Sequence, residues 1–189
     1  MKVGVLALQG AFALHQQRLE ACGVEARAVR TADDLADCDR LVIPGGESST
    51  MSLLLQRSGL FDVIAGRLAD GMPVFGTCAG AILLASDVLD GRADQQWFGA
   101  IDVSVRRNAY GRQVDSFEGE LDIDGDADPF MAAFIRAPVI ESTGADVEIL
   151  ASLDGRPVMC RERTILICTF HPELTDDIRI HQMFLELDN

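Results

Sequence analysis

Residues 73–80 read Pro73-Val74-Phe75-Gly76-Thr77-Cys78-Ala79-Gly80. A short aliphatic run, a turn that contains glycine and then an apolar helical pattern, here Ala79–Ser86, are typical of one strand and one helix of a parallel sheet. Similar aliphatic runs that end in glycine-containing turns occur at Lys2–Leu8 and Arg40–Ile43, and Val24–Val29 predicts a further strand. The pattern therefore predicts an α/β fold whose strands are buried on both faces.

The rest of the chain adds helices and β-rich segments to this plan. Apolar residues at helical spacing predict three further helices, at Phe12–Cys22, Thr50–Gln56 and Asp62–Ala69. After Gly91, alternating or β-rich segments predict antiparallel strands added to the sheet, at Ala100–Val105, Ser116–Ile123, Val147–Leu153 and Arg156–Cys160. We expect a mostly parallel sheet with antiparallel additions, in a single domain over residues 1–189.

The last part of the chain predicts one strand and one helix. Thr164–Phe170 is a further aliphatic strand, and it ends beside a histidine. A final helix is predicted to begin at Asp176-Asp177, because acidic side chains are favoured at a helix N-terminus. Thr175 is the predicted N-cap of this helix.

Charge and composition exclude several classes of protein. The 189-residue chain has 16 Lys plus Arg against 30 Asp plus Glu, a net charge of −14, which argues against nucleic acid and anionic membrane as partners. Its longest uncharged stretch, Gly71–Ser86, has 16 residues and contains Pro73, so it is too short for a membrane helix. Lys2 and the apolar run after it imitate a secretory signal, but we expect this segment to be the first strand.

The five cysteines are Cys22, Cys38, Cys78, Cys160 and Cys168. They are odd in number and contain no CxxC pair, so the sequence predicts neither a disulfide framework nor a zinc site. We expect no metal and no cofactor, and a reducing cytoplasmic compartment.

Cys78 lies where a nucleophile elbow would place it, between a strand and a helix with glycines two residues before and after it. Gly76 and Gly80 would permit a turn so tight that larger side chains would collide with the neighbouring backbone. The N-terminus of the following helix would favour a thiolate and offer N–H groups to an anion. Taken alone, the pattern also fits a small cysteine buried at a strand end.

A reactive cysteine needs a base, and the chain has three histidines. His15 and His181 fall on predicted helices, where a packed or partly exposed histidine is expected. His171 ends a strand and precedes Pro172, which restricts it to an extended conformation, so Glu173 is predicted to project to the same side. Glu173 could then accept the ring N–H and fix the tautomer of His171. A strand-ending turn with a solvated glutamate is the alternative.

A third segment, Pro44-Gly45-Gly46-Glu47-Ser48, ends a strand in two glycines that are followed by helix-capping residues. Its N–H groups could point into the cleft at the carboxyl ends of the strands. We predict that the N–H groups of Gly46 and Ala79 form an oxyanion hole. An ordinary turn would have the same composition, but the spacing of a phosphate-binding loop is absent.

These three segments, in this order, resemble the class I, triad-type glutamine amidotransferases, whose flavodoxin-like fold has three layers. Further segments narrow the resemblance to the glutaminase subunits of pyridoxal 5′-phosphate synthase: residues 5–11, 44–50, 107–113, 116–118, 134–138, 170–175 and 179–181. The chain departs from the family at Phe12-Ala13-Leu14, where charged or polar residues are frequent, and at Tyr110, where phenylalanine is common.

The resemblance implies hydrolysis of L-glutamine to L-glutamate and ammonia, with no cofactor. Ammonia would pass to a separate synthase subunit, a (β/α)8 barrel in a large hetero-oligomer, which builds pyridoxal 5′-phosphate from two sugar phosphates. Cys78 would be the nucleophile that forms a glutamyl thioester, His171 the general base and acid, and Glu173 the orienting carboxylate. The implied glutamine contacts are Gly46, Glu47, Ser48, Arg107, Ile135 and Arg136.

The charges of free glutamine agree with that set. Its α-carboxylate needs a cation and its α-ammonium needs acceptors, which Arg107, Arg136 and Glu47 could supply. Without the resemblance, each of the three would be read as an ordinary solvated charge.

Two other classes stay open. The chain could be a flavodoxin-like cysteine hydrolase or stress-related protein, which would turn over an ester or peptide and leave glutamine intact. It could also be a binding module in which Cys78 is structural. Within the amidotransferase hypothesis, adjacent Gly45 and Gly46 permit a peptide flip, so we expect weak activity until the synthase subunit organises this loop.

Overall fold

A computed structural model describes residues 1–107 and 116–187. The strands in those ranges are β1 (Lys2–Leu6), β2 (Glu25–Val29), β3 (Arg40–Ile43), β4 (Val74–Thr77), β5 (Ala85–Val88), β6 (Ile101–Arg106), β7 (Phe117–Leu121), β8 (Phe130–Phe134), β9 (Val139–Thr143), β10 (Glu148–Leu153), β11 (Arg156–Glu162) and β12 (Ile165–Cys168). The helices are α1 (Phe12–Ala21), α2 (Ala32–Ala36), α3 (Ser48–Ser58), α4 (Leu60–Ala69), α5 (Ala79–Leu84) and α6 (Arg179–Leu185), with a 3₁₀ turn at Pro172–Leu174.

The main sheet of the described residues has the strand order β10-β11-β12-β4-β3-β1-β2. The strands from β12 to β2 run parallel, whereas β11 and β10 are antiparallel at one edge. The expected mostly parallel sheet with antiparallel additions is confirmed. Because parallel strands share one carboxyl edge, the turns after β1, β3, β4 and β12 meet there.

Helices cover both faces of this sheet. Val42 and Phe75 project into a core that includes side chains of α1 and α6, whereas their neighbours Ile43 and Val74 project into a core shared with α2 to α5. Successive strand residues point to opposite faces, so strands covered on both sides must be aliphatic at every position. This double burial accounts for the unbroken apolar runs in the sequence.

Two of the four β-rich segments expected to extend the sheet lie outside it. Ala100–Val105 contains most of β6, which pairs with β5 and β9, and Ser116–Ile123 contains β7, which pairs with β8. The expected placement was wrong because alternation predicts the buried face of a strand but not its partner. The helix predicted at Ala79–Ser86 ends at Leu84 and continues into β5. The sequence patterns also missed α2, β8 and β9.

The final helix begins later than predicted. The hydroxyl of Thr175 accepts a hydrogen bond from the Asp177 N–H at 3.0 Å, and the Asp177 carboxylate accepts one from the Arg179 N–H at 3.1 Å. These two local turns use the groups that were expected to cap a helix from Asp176, since such side-chain bonds compete with helical hydrogen bonding. Ile178 therefore occupies the N-cap position, without a side-chain hydrogen bond.

In the part of the chain that the structure describes, none of the helices has the length and apolar character that crossing a membrane would require.

The junction of β4 and α5 is packed so closely that it requires glycine. A methyl group on Gly80 would run into the main-chain oxygen of Ile43, and one on Gly76 would lie 2.6 Å from Leu84 Cδ1. The methyl group on Gly76 would also lie 2.8 Å from the main-chain carbonyl group of Gly80, and a contact under 3.0 Å with a main-chain atom requires movement of the backbone. The glycines around the elbow are thus fixed by the contact between β3, β4 and α5.

We expect Gly80→Ala to lower the free energy of unfolding by roughly 1–3 kcal/mol or more, because the added methyl group forces β3 and α5 apart. Gly66→Ala is the matched control. Gly66 lies inside α4, and a methyl group added there would have no neighbouring atom of the described residues within 4 Å outside its own helix turn. This substitution should raise the free energy of unfolding by about 0.5–1 kcal/mol. Urea unfolding followed by circular dichroism measures both, and equal effects would contradict the packing argument.

Candidate active site

Cys78 stands at the turn between β4 and α5 with φ 48° and ψ −102°. Positive φ is uncommon for a residue with a side chain and stores strain. The Cys78 N–H donates a 2.9 Å hydrogen bond to the carbonyl of Cys168, which ties the turn to the end of β12. The Cys78 side chain is 7% exposed, and its Sγ lies 4.0 Å from the carbonyl oxygen of Ile135. The turn therefore holds the thiol at the carboxyl edge of the sheet.

His171 and Glu173 are in direct contact. His171 Nδ1 lies 2.7 Å from Glu173 Oε1, and the Glu173 side chain is fully buried. The contact is as predicted, but the predicted extended backbone was wrong. Only His171 is near extended, with φ −112° and ψ 84°, and Pro172–Leu174 form a 3₁₀ turn. This turn, and not the alternation of a strand, brings Glu173 to the ring of His171.

The two partners of His171 decide its charge. Burial opposes a charged ring, but hydrogen bonds with Cys78 and Glu173 and their negative charges outweigh burial and raise the pKa of His171 to about 10. Burial likewise opposes an ionised Glu173, yet the hydrogen bond from His171 and the proximity of His15 lower the pKa of Glu173. At neutral pH this geometry favours a protonated His171 beside an ionised Glu173.

The turn after β1 holds the turn after β3 in place. A methyl group on Gly10, which has φ 90°, would run into the carbonyl oxygen of Gly45. The side-chain oxygen of Gln9 accepts a 3.2 Å hydrogen bond from the Glu47 N–H. On its other side Gly45 packs against the site, since a methyl group there would lie 2.5 Å from His171 Cε1. Gly45 is therefore confined between Gly10 on one side and His171 on the other.

A cavity of about 160 Å³ opens beside Cys78. Its lining residues are Gly46, Glu47, Ser48, Cys78, Ile82, Arg107, Ile135, Arg136 and His171. The structure thus brings the six expected glutamine contacts together with Cys78 and His171, and adds Ile82. Glu173 lies behind His171, and Ala79 is the buried first residue of α5.

Arg107 is held from two sides. Its Nη2 donates to Glu47 Oε1 at 3.0 Å and its Nη1 donates to Gln95 Oε1 at 2.6 Å. Glu47 Oε1 also accepts from the Ser49 N–H, and Glu47 Oε2 accepts from the N–H and hydroxyl of Thr50. A carboxylate offers about four lone-pair sites, so these four donors occupy the Glu47 carboxylate. In this structure Glu47 caps α3 and anchors Arg107, and it also lines the cavity.

The expected site is described only in part. Residues 108–113 of the segment that begins at Arg107, including Tyr110, lie outside the described residues. Arg136 has φ 46°, and both it and Ile135 are exposed at the cavity. Within residues 1–107 and 116–187, no three His, Cys, Asp or Glu side chains are grouped so that they could hold a metal ion.

A family model described as the SNO glutamine amidotransferase family matches residues 5–188. The chain belongs to the SNO glutamine amidotransferase family. It is similar to proteins named pyridoxal 5′-phosphate synthase subunit PdxT, with 54% identity to that of Mycobacteroides abscessus and 52% to that of Corynebacterium jeikeium. These alignments cover 98% and 99% of this chain and 96% of each relative.

A solved structure gives the same result for the fold. A glutamine amidotransferase crystal structure matches with a TM-score of 0.92 at 46% identity, over 98% of this chain and 97% of the other. The fold class expected from the resemblance is confirmed.

Sequence reasoning missed three side chains that surround the site of this amidotransferase. Gln95 is nearly buried and contacts Arg107, while His15 and His181 are fully buried near Glu173. The signal for His15 was its position four residues before Leu19 on the buried face of α1, where a polar side chain requires a partner. His181 gives the same signal, because it lies three residues before Phe184 on the buried face of α6.

We expect ¹⁵N NMR of histidine-labelled protein to show His171 titrating near pH 10 and His15 near pH 4. Cys78→Ala should lower the pKa of His171, because one partner of the charged ring is removed. The folded pKa of His171 lies above its ordinary 6.5. The contribution of His171 to the free energy of unfolding is therefore complete below pH 6.5 and is lost as the pH rises through about 10. Titration of His171 near 6.5 in the unmodified protein would contradict this charge arrangement.

Proposed function

We propose that this chain hydrolyses L-glutamine to L-glutamate and ammonia as the glutaminase subunit of pyridoxal 5′-phosphate synthase. One observation carries the proposal: the strained elbow holds Cys78 beside His171, and the buried Glu173 lies 2.7 Å behind that ring. Membership of the amidotransferase family and the similarity to PdxT proteins support the same substrate and pathway.

The chemistry follows from the three side chains. Cys78 Sγ attacks the side-chain amide carbon of glutamine, and a C–S bond forms. The N–H groups of Gly46 and Ala79 stabilise the oxyanion. His171 donates a proton to the amide nitrogen as the C–N bond breaks, so ammonia leaves and a glutamyl thioester remains. His171 then takes a proton from water, which attacks the thioester carbon and releases glutamate and the thiolate.

Glu173 acts on this sequence through His171. It accepts the Nδ1–H of His171 and so keeps Nε2 available for proton exchange with the reacting groups. Its negative charge stabilises the imidazolium that donates to the leaving nitrogen.

Recognition of glutamine is assigned to Arg107, Arg136 and the turn after β3. Arg107 is the cation for the α-carboxylate, since Glu47 and Gln95 fix its orientation and carboxylate recognition depends on guanidinium geometry. Four donors hold the Glu47 carboxylate in place, so that it anchors Arg107 and presents its negative charge to the α-ammonium group. The main chain of residues 46–48 and of Ile135 and Arg136 supplies further contacts around the cavity.

The partner is a synthase subunit that receives the ammonia, with the (β/α)8-barrel fold and the large hetero-oligomer that the family resemblance implies. The compartment is the cytoplasm. All five cysteines, which lie in the described ranges, are free thiols, as a reducing compartment favours.

The deciding experiment measures ammonia and glutamate release from L-glutamine by the chain alone, by the chain with the synthase subunit, and by Cys78→Ala with that subunit. We expect release that the partner stimulates and that Cys78→Ala reduces to background. A pull-down should show that Cys78→Ala still binds the synthase subunit. Equal rates with and without the partner would contradict the organisation of the Gly45-Gly46 loop by that subunit.

Absence of release under every condition would overturn the proposed function. Turnover of an ester or peptide substrate would then favour a flavodoxin-like cysteine hydrolase. Failure of a glutamine-directed diazo-ketone to label Cys78 with the partner present would favour a binding module.

We expect Gln95→Leu to raise the KM for glutamine about tenfold or more with a smaller change in kcat, because Arg107 loses a charge-assisted hydrogen bond. Arg107 has only donors, so the atom 2.6 Å from it must be the Gln95 oxygen. The matched control is Gln96→Leu, since Gln96 is the next residue and is exposed. Steady-state kinetics with the synthase subunit measure both, and an unchanged KM in Gln95→Leu would contradict this role.

A further inference from the structure

Two further histidines lie on the side of Glu173 that faces away from His171. His15 Nε2 is 3.3 Å from Glu173 Oε2, and His15 Nδ1 is 3.0 Å from His181 Nε2. Both histidine side chains and the Glu173 carboxylate are fully buried. α1 and α6 thus each contribute one imidazole to a chain of contacts that ends at the carboxylate.

Both rings are neutral at neutral pH. Burial lowers the pKa of His15 to about 4, although the negative charge of Glu173 acts in the opposite direction. Burial and the proximity of His15 lower the pKa of His181 to about 3. A neutral imidazole has one N–H donor and one acceptor nitrogen, so two arrangements of the protons keep the hydrogen bond between the two rings.

In the first arrangement His15 carries its proton on Nε2, donates to Thr77 Oγ1 and places this N–H beside Glu173 Oε2. His15 Nδ1 is then an acceptor for the Nε2–H of His181, and His181 Nδ1 carries a lone pair. In the second arrangement both protons move to the Nδ1 atoms. A lone pair of His15 would then face the ionised Glu173, and His181 Nδ1 would carry an N–H.

The surroundings of His181 favour the first arrangement. No hydrogen-bond partner for the buried His181 Nδ1 is found among the described residues. A buried N–H without an acceptor is rarer than an unused acceptor, so the proton is better placed on His181 Nε2. The hydroxyl oxygen of Thr77, 3.2 Å from His15 Nε2, accepts the hydrogen bond of the His15 N–H, and Glu173 Oε2 lies beside the same nitrogen at 3.3 Å without hydrogen-bond geometry.

We propose that His15, kept in its Nε2–H tautomer by His181, is a positioning residue whose N–H lies 3.3 Å from Glu173 Oε2, a buried oxygen with no hydrogen-bond partner among the described residues. The dipole of this N–H stabilises the ionised form of the buried carboxylate and its orientation toward His171. The proposal rests on the proposed function, because it assigns His15 and His181 a part in glutamine hydrolysis through Glu173 and not through contact with substrate.

Several groups face Glu173 and enter its titration. They are His15 and Arg18 of α1, Cys168 of β12, His171 and, on α6, His181. His15 is the group among these that lies beside Oε2. Oε2 is buried and has no hydrogen bond among the described residues, so loss of the nearby N–H dipole of His15 removes a favourable interaction with its charge, and the pKa of Glu173 must rise as a result.

The central test compares His15→Phe with His15→Gln in the complex with the synthase subunit. Phenylalanine keeps an aromatic ring but has no donor, whereas the glutamine amide nitrogen can take the place of Nε2–H. We expect His15→Phe to reduce kcat about 10- to 100-fold with KM within about twofold. The acidic limb of its pH profile should move upward by about one pH unit. His15→Gln should recover most of kcat and the position of the limb.

Leu19→Val controls for a loss of stability. Leu19 is buried on α1 one turn after His15 and packs in the same core. We expect this variant to lower the melting temperature while kcat and the acidic limb stay as in the unmodified protein. His181→Phe should shift the limb in the same direction as His15→Phe. The double variant should be no worse than His15→Phe, because His181 acts through His15.

A second readout does not require glutamine hydrolysis. The rate of Cys78 alkylation by iodoacetamide is measured against pH, with Cys78→Ala as the background for the other cysteines. We expect the rise of this rate to move to higher pH in His15→Phe and to return in His15→Gln. If the unmodified complex released no ammonia, the proposed function would fail while this readout still tested the contact between His15 and Glu173.

Three results would overturn the proposal. One is an unchanged acidic limb and alkylation profile in a folded His15→Phe variant. Another is an equal shift in Leu19→Val. The third is additive losses in the double variant, which would show that His181 does not act through His15.

Discussion

The close approach of α5 to the end of β3 is the constraint on which the site depends. Gly80 leaves no room for a side chain against the carbonyl of Ile43. That contact fixes where the helix begins after β4, and Cys78 must take a positive φ for the chain to enter the helix there. Strain of this kind persists only where the surrounding structure over-determines it. Here the sheet and α5 supply that structure, and the thiol faces the cavity as a consequence.

A buried carboxylate is the second organising element. An ionised group in an apolar interior is costly unless hydrogen bonds and opposite charge compensate. Glu173 has His171 on one oxygen and His15 near the other, and its main-chain oxygen accepts a hydrogen bond from Arg18. These partners come from α1 and from the segment after β12. The helices on this face therefore determine the charge of the site as well as covering the sheet.

The cavity contrasts with the surface of the molecule. The chain has a net charge of −14, yet Arg107 and Arg136 line the cavity. Glu47 and Gln95 hold one of these guanidinium groups in a set orientation. A fixed guanidinium group loses less conformational freedom on binding than a mobile one, which favours selectivity for a small zwitterion.

The sequence by itself determined the elements whose cause is local. Aliphatic runs buried on both faces gave the parallel strands, and glycines two residues on either side of Cys78 gave the elbow. The pairing of His171 with Glu173 was predicted from their spacing, although a 3₁₀ turn and not an extended strand produces it. Tertiary structure decided the rest, because it depends on contacts between distant segments: the partners of β6 and β7, and the four donors that occupy Glu47. His15 is buried against Glu173, which lies 158 positions away in the sequence. A local sequence pattern cannot predict a contact between residues so far apart.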